Sequence, residues 1–401
     1  MNNSIPKEIR LISLATSIRW IGWGMAEPLI PVFLFILLGE YGLSGLIGSA
    51  GEVVFLLILP LAGILADRIP LKTFLVAGVV IFFFDGLWSI AALGSLVLLV
   101  FIAEIFDGIA VASDVVDRAT YIRRYARREV VASVIGWQTT LINVGWMVGA
   151  CLSWILAPYV SFVWIFFGIV PANLVALYML ARYLPADAPP PARSSNSISF
   201  AHYFDVWRDT LRLHNGLRAL AMLTIIFNAL SAFAVFLIPI YAYIQGATLR
   251  EIILLGILAM LPDLFSSPLG KIADRFSASL LPLGLLAAAM TLAALSFVSW
   301  YPFLLLIVLG LRVILVLLGL AVENLITKLT SPYHYGRTSA VFEGLKDVGK
   351  FIGAIGLGFA LDQWGGQAVF IALAAFMVVA TLLATREFRK HKARTATEPA
   401  Q

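Results

Sequence analysis

The sequence predicts an all-α membrane protein of twelve spanning helices, arranged as two pseudo-symmetric six-helix bundles. Three observations carry this. Hydrophobic residues make up 61% of the 401-residue chain and charged residues 13%, whereas a soluble domain is about half apolar and one quarter charged. Apolar runs of about 20 residues, enough to cross a hydrocarbon core of about 30 Å, recur from end to end. A short loop pattern also occurs twice: Gly63-Ile64-Leu65-Ala66-Asp67-Arg68, and Gly270-Lys271-Ile272-Ala273-Asp274-Arg275. Asp67 and Asp274 lie 207 positions apart, half of the chain. A repeat at that period implies two similar membrane halves.

Expected spans run at about 14–38, 43–66, 72–93, 95–122, 130–156, 160–184, 216–245, 249–272, 278–300, 302–329, 337–362 and 366–388. Run length and the lack of alternating polarity favour helices over barrel strands. The domains expected are an N-terminal bundle over 1–184, a linker over 185–215, a C-terminal bundle over 216–388 and a tail over 389–401. The linker opens with a Pro- and Ser-rich stretch, Pro185–Ser199. It continues in an amphipathic segment with Phe200, Phe204, Trp207 and Leu211 on one helical face, which suits a helix lying on the membrane surface.

Lys and Arg set the orientation. One set of loops and both tails carry Lys7, Arg10, Arg68, Lys72, Arg123, Arg124, Arg127, Arg128, Lys271, Arg275, Lys328 and the basic C-terminal tail; the opposite loops carry only Arg250. Both termini are therefore expected in the cytoplasm, which needs an even number of crossings. The polar stretch Met1–Arg10 is short and the first apolar run long enough to remain as a span, so no cleaved leader is expected. Compact loops suggest a bacterial inner membrane. The net charge of +5 is scattered over loops rather than gathered in a stripe, which argues against nucleic acid.

Charges at membrane depth are costly and mark functional candidates. The first span carries Arg19, Trp23 and Glu27 at helical spacing, so that they share a face. The second carries Glu52 and the third Asp85. The fourth carries Glu104, Asp107, Asp114 and Arg118 along one stripe, with Asp117 beside it. Asp263 lies on the eighth and Arg312 on the tenth. Away from the basic helix ends, seven acids face two bases, Arg19 and Arg312. Such an excess calls for protons, ion pairs, water or a cationic ligand. Arg19 is expected to pair with Asp114 or an anionic substrate group, and Arg312 with Glu104. The fifth span adds Gln138, Asn143 and a Gly145-x-x-x-Gly149 ladder suited to close packing, and Gly349, Gly353, Gly356 and Gly358 recur on the eleventh. Glu343, Lys346, Asp347 and Lys350 are expected to form ion pairs along the eleventh span. Trp20, Trp23, Trp137 and Trp146 are aromatic candidates for a cavity wall.

Twelve spans, a long central link and the duplicated Gly-x-x-x-Asp-Arg loop resemble the major facilitator superfamily. Gly63, Asp67, Arg68 and Lys72 match the family's loop pattern, while Pro70 and Leu71 stand where the family has Gly and Arg. The resemblance implies a secondary transporter working by alternating access, with spans 1, 4, 7 and 10 lining a central cavity. It makes Glu27 and Asp107 the first choices for a proton or substrate site, with Arg19, Trp23, Glu104, Asp114, Asn143, Asp263 and Arg312 around them. It also implies a gating latch built of Gly63, Asp67, Arg68, Asp117, Arg118, Asp274 and Arg275. In that latch Gly63 permits close helix approach and Arg68 meets Asp117.

The implied activity is proton-coupled movement of a small solute by a monomer in the bilayer, with efflux of a cationic or amphipathic compound as the leading form. Uptake of a metabolite, movement of a metal cation and a non-transporting sensor are the alternatives. No cofactor or resident metal is expected: a phosphate-binding Walker loop, a hydrolase elbow and a His/Cys cluster are all absent from the sequence, and nothing points to an enzyme.

Overall fold

A computed structural model describes residues 5–66, 68–126, 131–186, 208, 215–298, 300–330 and 335–397. All regular structure among them is helical. The helices are α1 Lys7–Leu38, α2 Tyr41–Ala66, α3 Leu71–Gly94, α4 Val97–Tyr125, α5 Val131–Leu156 and α6 Phe162–Tyr183, followed by α7 Gly216–Ile244, α8 Leu249–Leu264, α9 Ser266–Leu295, α10 Tyr301–Leu329 and α11 Tyr335–Thr397.

Among the described residues, eight helical stretches are each long and apolar enough to cross a bilayer, or nine with the bent pair at Phe265. The charged helix α4 adds a further 29 residues. Gly365, with φ 74° and ψ 166°, interrupts α11. Divided there, with α8 and the first turns of α9 counted as one bent span, the helices are consistent with twelve crossings. Left-handed residues close helices where the chain must reverse: Gly39 at φ 76° ends α1 and Gly246 at φ 93° follows α7. Glycine adopts this conformation without a Cβ penalty.

Several spans are broken, and four of the breaks coincide with acids. In α1 a 3-10 turn occupies Glu27–Leu29, where Pro28 supplies no amide hydrogen. The helix α2 breaks at Ser49 and restarts at Ala50, two residues before Glu52. A 3-10 stretch Phe82–Gly86 in α3 contains Asp85. The α8–α9 junction bends by 56° at Phe265, just after Pro262 and Asp263. Each break frees backbone groups that need partners. Asn173 of α6 donates to the Phe82 carbonyl at 2.9 Å and satisfies one of them.

The chain divides into two compact units. The first holds Met1–Tyr203 and Gly246–Ile257; the second holds Phe204–Gln245 and Leu258–Gln401. Within the first, α1 and α5 lie close enough that a Cβ at Gly145 would overlap the Ser17 carbonyl, and one at Gly149 the Ile21 carbonyl. The Trp146 carbonyl lies over Gly24 in the same way. Ser17 Oγ donates to the Leu141 carbonyl at 2.7 Å along this seam. Also in the first unit, the Arg250 guanidinium lies 3.7 Å over the Trp154 ring. The second unit has a matching seam: a Cβ at Gly349 would meet the Ile225 carbonyl and one at Gly353 the Ala229 carbonyl. The glycine ladders expected to permit close packing do so at these four positions.

Nearly all of the linker's Pro/Ser-rich stretch and of its amphipathic segment lies outside the described residues, as do Asp67, Arg127 and Arg128.

Candidate functional site

In the first unit the breaks in α1, α2 and α3 and the acidic stripe of α4 form one charged neighbourhood. Asp107 of α4 interacts electrostatically with Glu52, Arg19, Glu27 and Asp114. Asp85 interacts with Asp107 and Arg19, and Glu104 with Asp107, Glu52 and Asp85. Six carboxylates from four helices thus share one region with Arg19.

Each member is held differently. Arg19, buried, pairs with Asp114 at 3.0 Å and lies 3.7 Å over the Phe82 ring. Arg118 reaches the same Asp114 oxygen at 2.7 Å, so one carboxylate ties two guanidinium groups. Glu27 accepts from the Trp146 indole N–H at 2.5 Å, across the α1–α5 seam. Glu104 is buried at the restart of α2, where it accepts from the Gly51 backbone N–H. A carboxylate at a helix N-terminus meets unpaired amides and the positive end of the helix dipole. Close approach of α2 and α4 puts it there: a Cβ at Gly108 would overlap the Gly51 carbonyl. Asp107, Glu27 and Glu52 are only half-buried, unlike Asp85, Glu104 and Asp114. Trp23 and Asn143 are half-buried as well.

Among the described residues the second unit holds one membrane-depth base, fully engaged. Arg312 of α10 donates Nε–H to the Ala259 carbonyl at 2.7 Å and Nη2 to Asp263 at 2.9 Å; its Nη1 reaches Ser231 Oγ. The bend at Phe265 positions Asp263, and Pro262 leaves part of the α8 backbone free to turn. On α10 and α11, Lys346 bridges Glu323 at 2.7 Å and Glu343 at 2.8 Å, and Lys350 pairs with Asp347 at 2.7 Å.

Several expectations need correction. Arg312 pairs with Asp263, not Glu104, because the bent α8–α9 junction offers an acid within its own unit. Arg68 is exposed and does not meet Asp117. Asp117 is fully buried, and neither of its oxygens has a hydrogen-bond partner among the described residues. Gly63 permits no close approach, since a Cβ there would meet nothing within 4 Å, and Gly270 is the same. The second loop copy is not a turn: Gly270–Arg275 lies within helix α9, with Asp274 accepting from Asn324 and Arg275 5.1 Å from the Phe276 ring. Lys72, grouped with the loop in sequence, caps the end of α6 through the carbonyls of Ala181 and Leu184.

Sequence reasoning also undervalues some residues. Asp85 lies on a span that looks peripheral, yet it is 2% exposed and close to Arg19 in charge terms. Its coincidence with Gly86 in a Phe-rich run is the one available hint of a break. Ser231, Glu323 and Asn173 carry no sequence signal of their roles. Among the described residues no group of three His, Cys, Asp or Glu side chains is arranged to hold a metal ion.

Comparison with known proteins places this geometry. No curated protein sequence is significantly similar to the chain. Solved structures are similar in fold at low identity. A POT family transporter in complex with 5-aminolevulinic acid matches at TM-score 0.77 and 14% identity, over 96% of each chain. The nucleoside transporter NupG matches at 0.73 and 12%, over 96% of this chain and 99% of that one. The human organic anion transporter MFSD10 (TETRAN) matches at 0.65 and 14%, over 95% and 100%. The family model of the Major Facilitator Superfamily matches residues 12–354 and 264–401. The chain is a multi-pass membrane protein that belongs to the major facilitator superfamily of small-solute transporters.

Proposed function

We propose that this chain is a proton-coupled secondary transporter that exports an organic cation in exchange for protons. The observation that carries the reading is the imbalance of committed charge. Every membrane-depth base of the described residues is engaged: Arg19 with Asp114 and Phe82, Arg118 with Asp114, Arg312 with Asp263, Ala259 and Ser231. An anionic substrate would have to break one of these sets. The acids are in excess, and three of the six clustered carboxylates, Glu27, Glu52 and Asp107, are half-buried; of these we take Glu27 and Asp107, on α1 and α4, as the exchanging pair. A carboxylate that holds a proton in one state and a cation in the other couples the two fluxes.

In this reading Trp146 positions Glu27, Arg19 and Arg118 fix Asp114, and Trp23 and Asn143 contribute to the binding surface. Broken helices at the acids supply the adjustable backbone. Asp67, Arg68, Asp117, Asp274 and Arg275 serve gating, and the linker over 185–215 joins bundles over 1–184 and 216–388. The protein works as a monomer in a bacterial inner membrane with both termini cytoplasmic, supported by the Lys/Arg bias of its loops.

The test is flux in proteoliposomes with tetraphenylphosphonium as the probe. An acidic interior should drive accumulation of the cation as protons leave, and collapse of the pH gradient should abolish it. Accumulation of anionic probes instead, or none with any charge class under either gradient, overturns the reading.

A further inference from the structure

The helix α8 is shared between the two compact units. Gly246–Ile257 belongs with the first, although the chain on either side, up to Gln245 and from Leu258, belongs with the second. Both boundaries fall on weak points of the backbone. Gly246 stands at φ 93°, and a Cβ there would meet nothing within 4 Å. At the other end Pro262 has no N–H for the carbonyl four residues back, which is that of Leu258. The segment is flanked by a glycine turn and a missing helical bond.

Between these points it is stiff. Thr248 and Glu251 cap its helix reciprocally: Glu251 accepts from the Thr248 N–H and Oγ–H at 2.8 Å, and its own N–H donates to Thr248 Oγ at 3.3 Å. Two contacts dock it on the first unit. The Arg250 guanidinium lies on Trp154 of α5, and a Cβ at Gly256 would stand 3.0 Å from Pro28 Cβ, in the α1 turn that carries Glu27. Ile252, Ile253 and Leu255 are fully buried, so the docked position is a packed one. In a bilayer, apolar side chains that leave such packing meet lipid rather than water, which makes undocking reversible. Past the break, Arg312 of α10 holds Ala259 and Asp263, so the rest of α8 is tied elsewhere.

We propose that Gly246–Ile257 is a strap that swings about Gly246 and Leu258 and closes over the Glu27 turn from the Arg250 side of the membrane. It moves as one capped body, independently of the α8 residues beyond Leu258. What the strap admits rests on the function proposed above; the motion itself does not.

Spin labels test the motion without any solute. The full chain carries Cys151→Ala and sits in nanodiscs. Ala247→Cys on the strap is paired with Tyr159→Cys in the first unit or Phe297→Cys in the second, positions 82% and 76% exposed. Pulsed electron resonance should find two distance populations for each pair. Arg250→Ala should raise the undocked one about two- to fivefold, the worth of an exposed cation–π contact. Pro262→Ala, which restores the bond to Leu258, should leave a single 247–297 distance. A single 247–297 distance in the parent protein means that α8 moves whole with the second unit, and a single 159–247 distance means that the strap never lifts. Either overturns the proposal, as does indifference to Arg250→Ala. A reducible link between Arg250→Cys and Trp154→Cys should stop tetraphenylphosphonium flux in proteoliposomes until it is reduced; full flux with the link in place also overturns it. Absence of flux from the unlinked protein, with both populations intact, would sink the assigned function and leave the strap standing.

Discussion

The two units share a packing device and differ in charge. In the first, α1 meets α5 through Gly145 and Gly149 against the Ser17 and Ile21 carbonyls; in the second, α7 meets α11 through Gly349 and Gly353 against the Ile225 and Ala229 carbonyls. Around the first seam stand six interacting carboxylates and two shared guanidinium groups. In the second stands Arg312, with a partner at each of three nitrogens. Backbone proximity tolerates only glycine and so persists through duplication. Charge is free to diverge, and in the function proposed here it separates a half that exchanges ligands from a half that is locked.

The comparison breaks first at the seams. Gly149→Val and Gly353→Val should be equally damaging, at roughly 3 kcal/mol or more each, because side-chain atoms would replace backbone contact; thermal unfolding in detergent measures both. A large cost at one and none at the other would end the equivalence. Next, Arg312→Ala should lower stability by about 2 kcal/mol by stranding Asp263, below the usual cost of breaking a buried pair because Asp263 is partly exposed. Arg312→Lys should recover part of it and retain flux.

In the first unit the effect moves from stability to activity. Asp107→Asn should leave the unfolding temperature unchanged or higher and cut proton-driven flux at least about tenfold, a loss of about 1.4 kcal/mol in the driving interaction. Trp146→Phe removes the donor to Glu27 and should cost about 1 kcal/mol in stability, with a smaller loss of flux. The smallest effects belong to Gly63→Ala and Gly270→Ala. Neither added Cβ meets an atom within 4 Å and both sites are helical, so each should stabilise by about 0.5 kcal/mol.

These contrasts also show what could be read from sequence. Run length and composition make the spans legible, because a bilayer demands about 20 apolar residues per crossing. The Arg19–Asp114 pair is legible because both lie on helix faces set by a fixed period. Glycines are ambiguous: Gly145 and Gly63 look alike in sequence, yet only Gly145 is pressed against a neighbour. The partner of Arg312 is missed because a helical period cannot foresee the 56° bend that presents Asp263. The role of Asp85 is hidden for the same reason, since a 3-10 break rotates the next turns of the helix out of register. Gly270–Arg275 matches a loop motif but continues as helix, and even Pro282 further along does not end it.

Proton release on ligand binding tests the account most directly. Purified protein in weakly buffered detergent is mixed with tetraphenylphosphonium while pH is recorded. The wild type and Arg312→Lys should both acidify the solution by about one proton per bound cation, and Glu27→Gln combined with Asp107→Asn should release none. Undiminished release from that double variant, or release lost in Arg312→Lys alone, would place the exchanging group elsewhere and contradict the account.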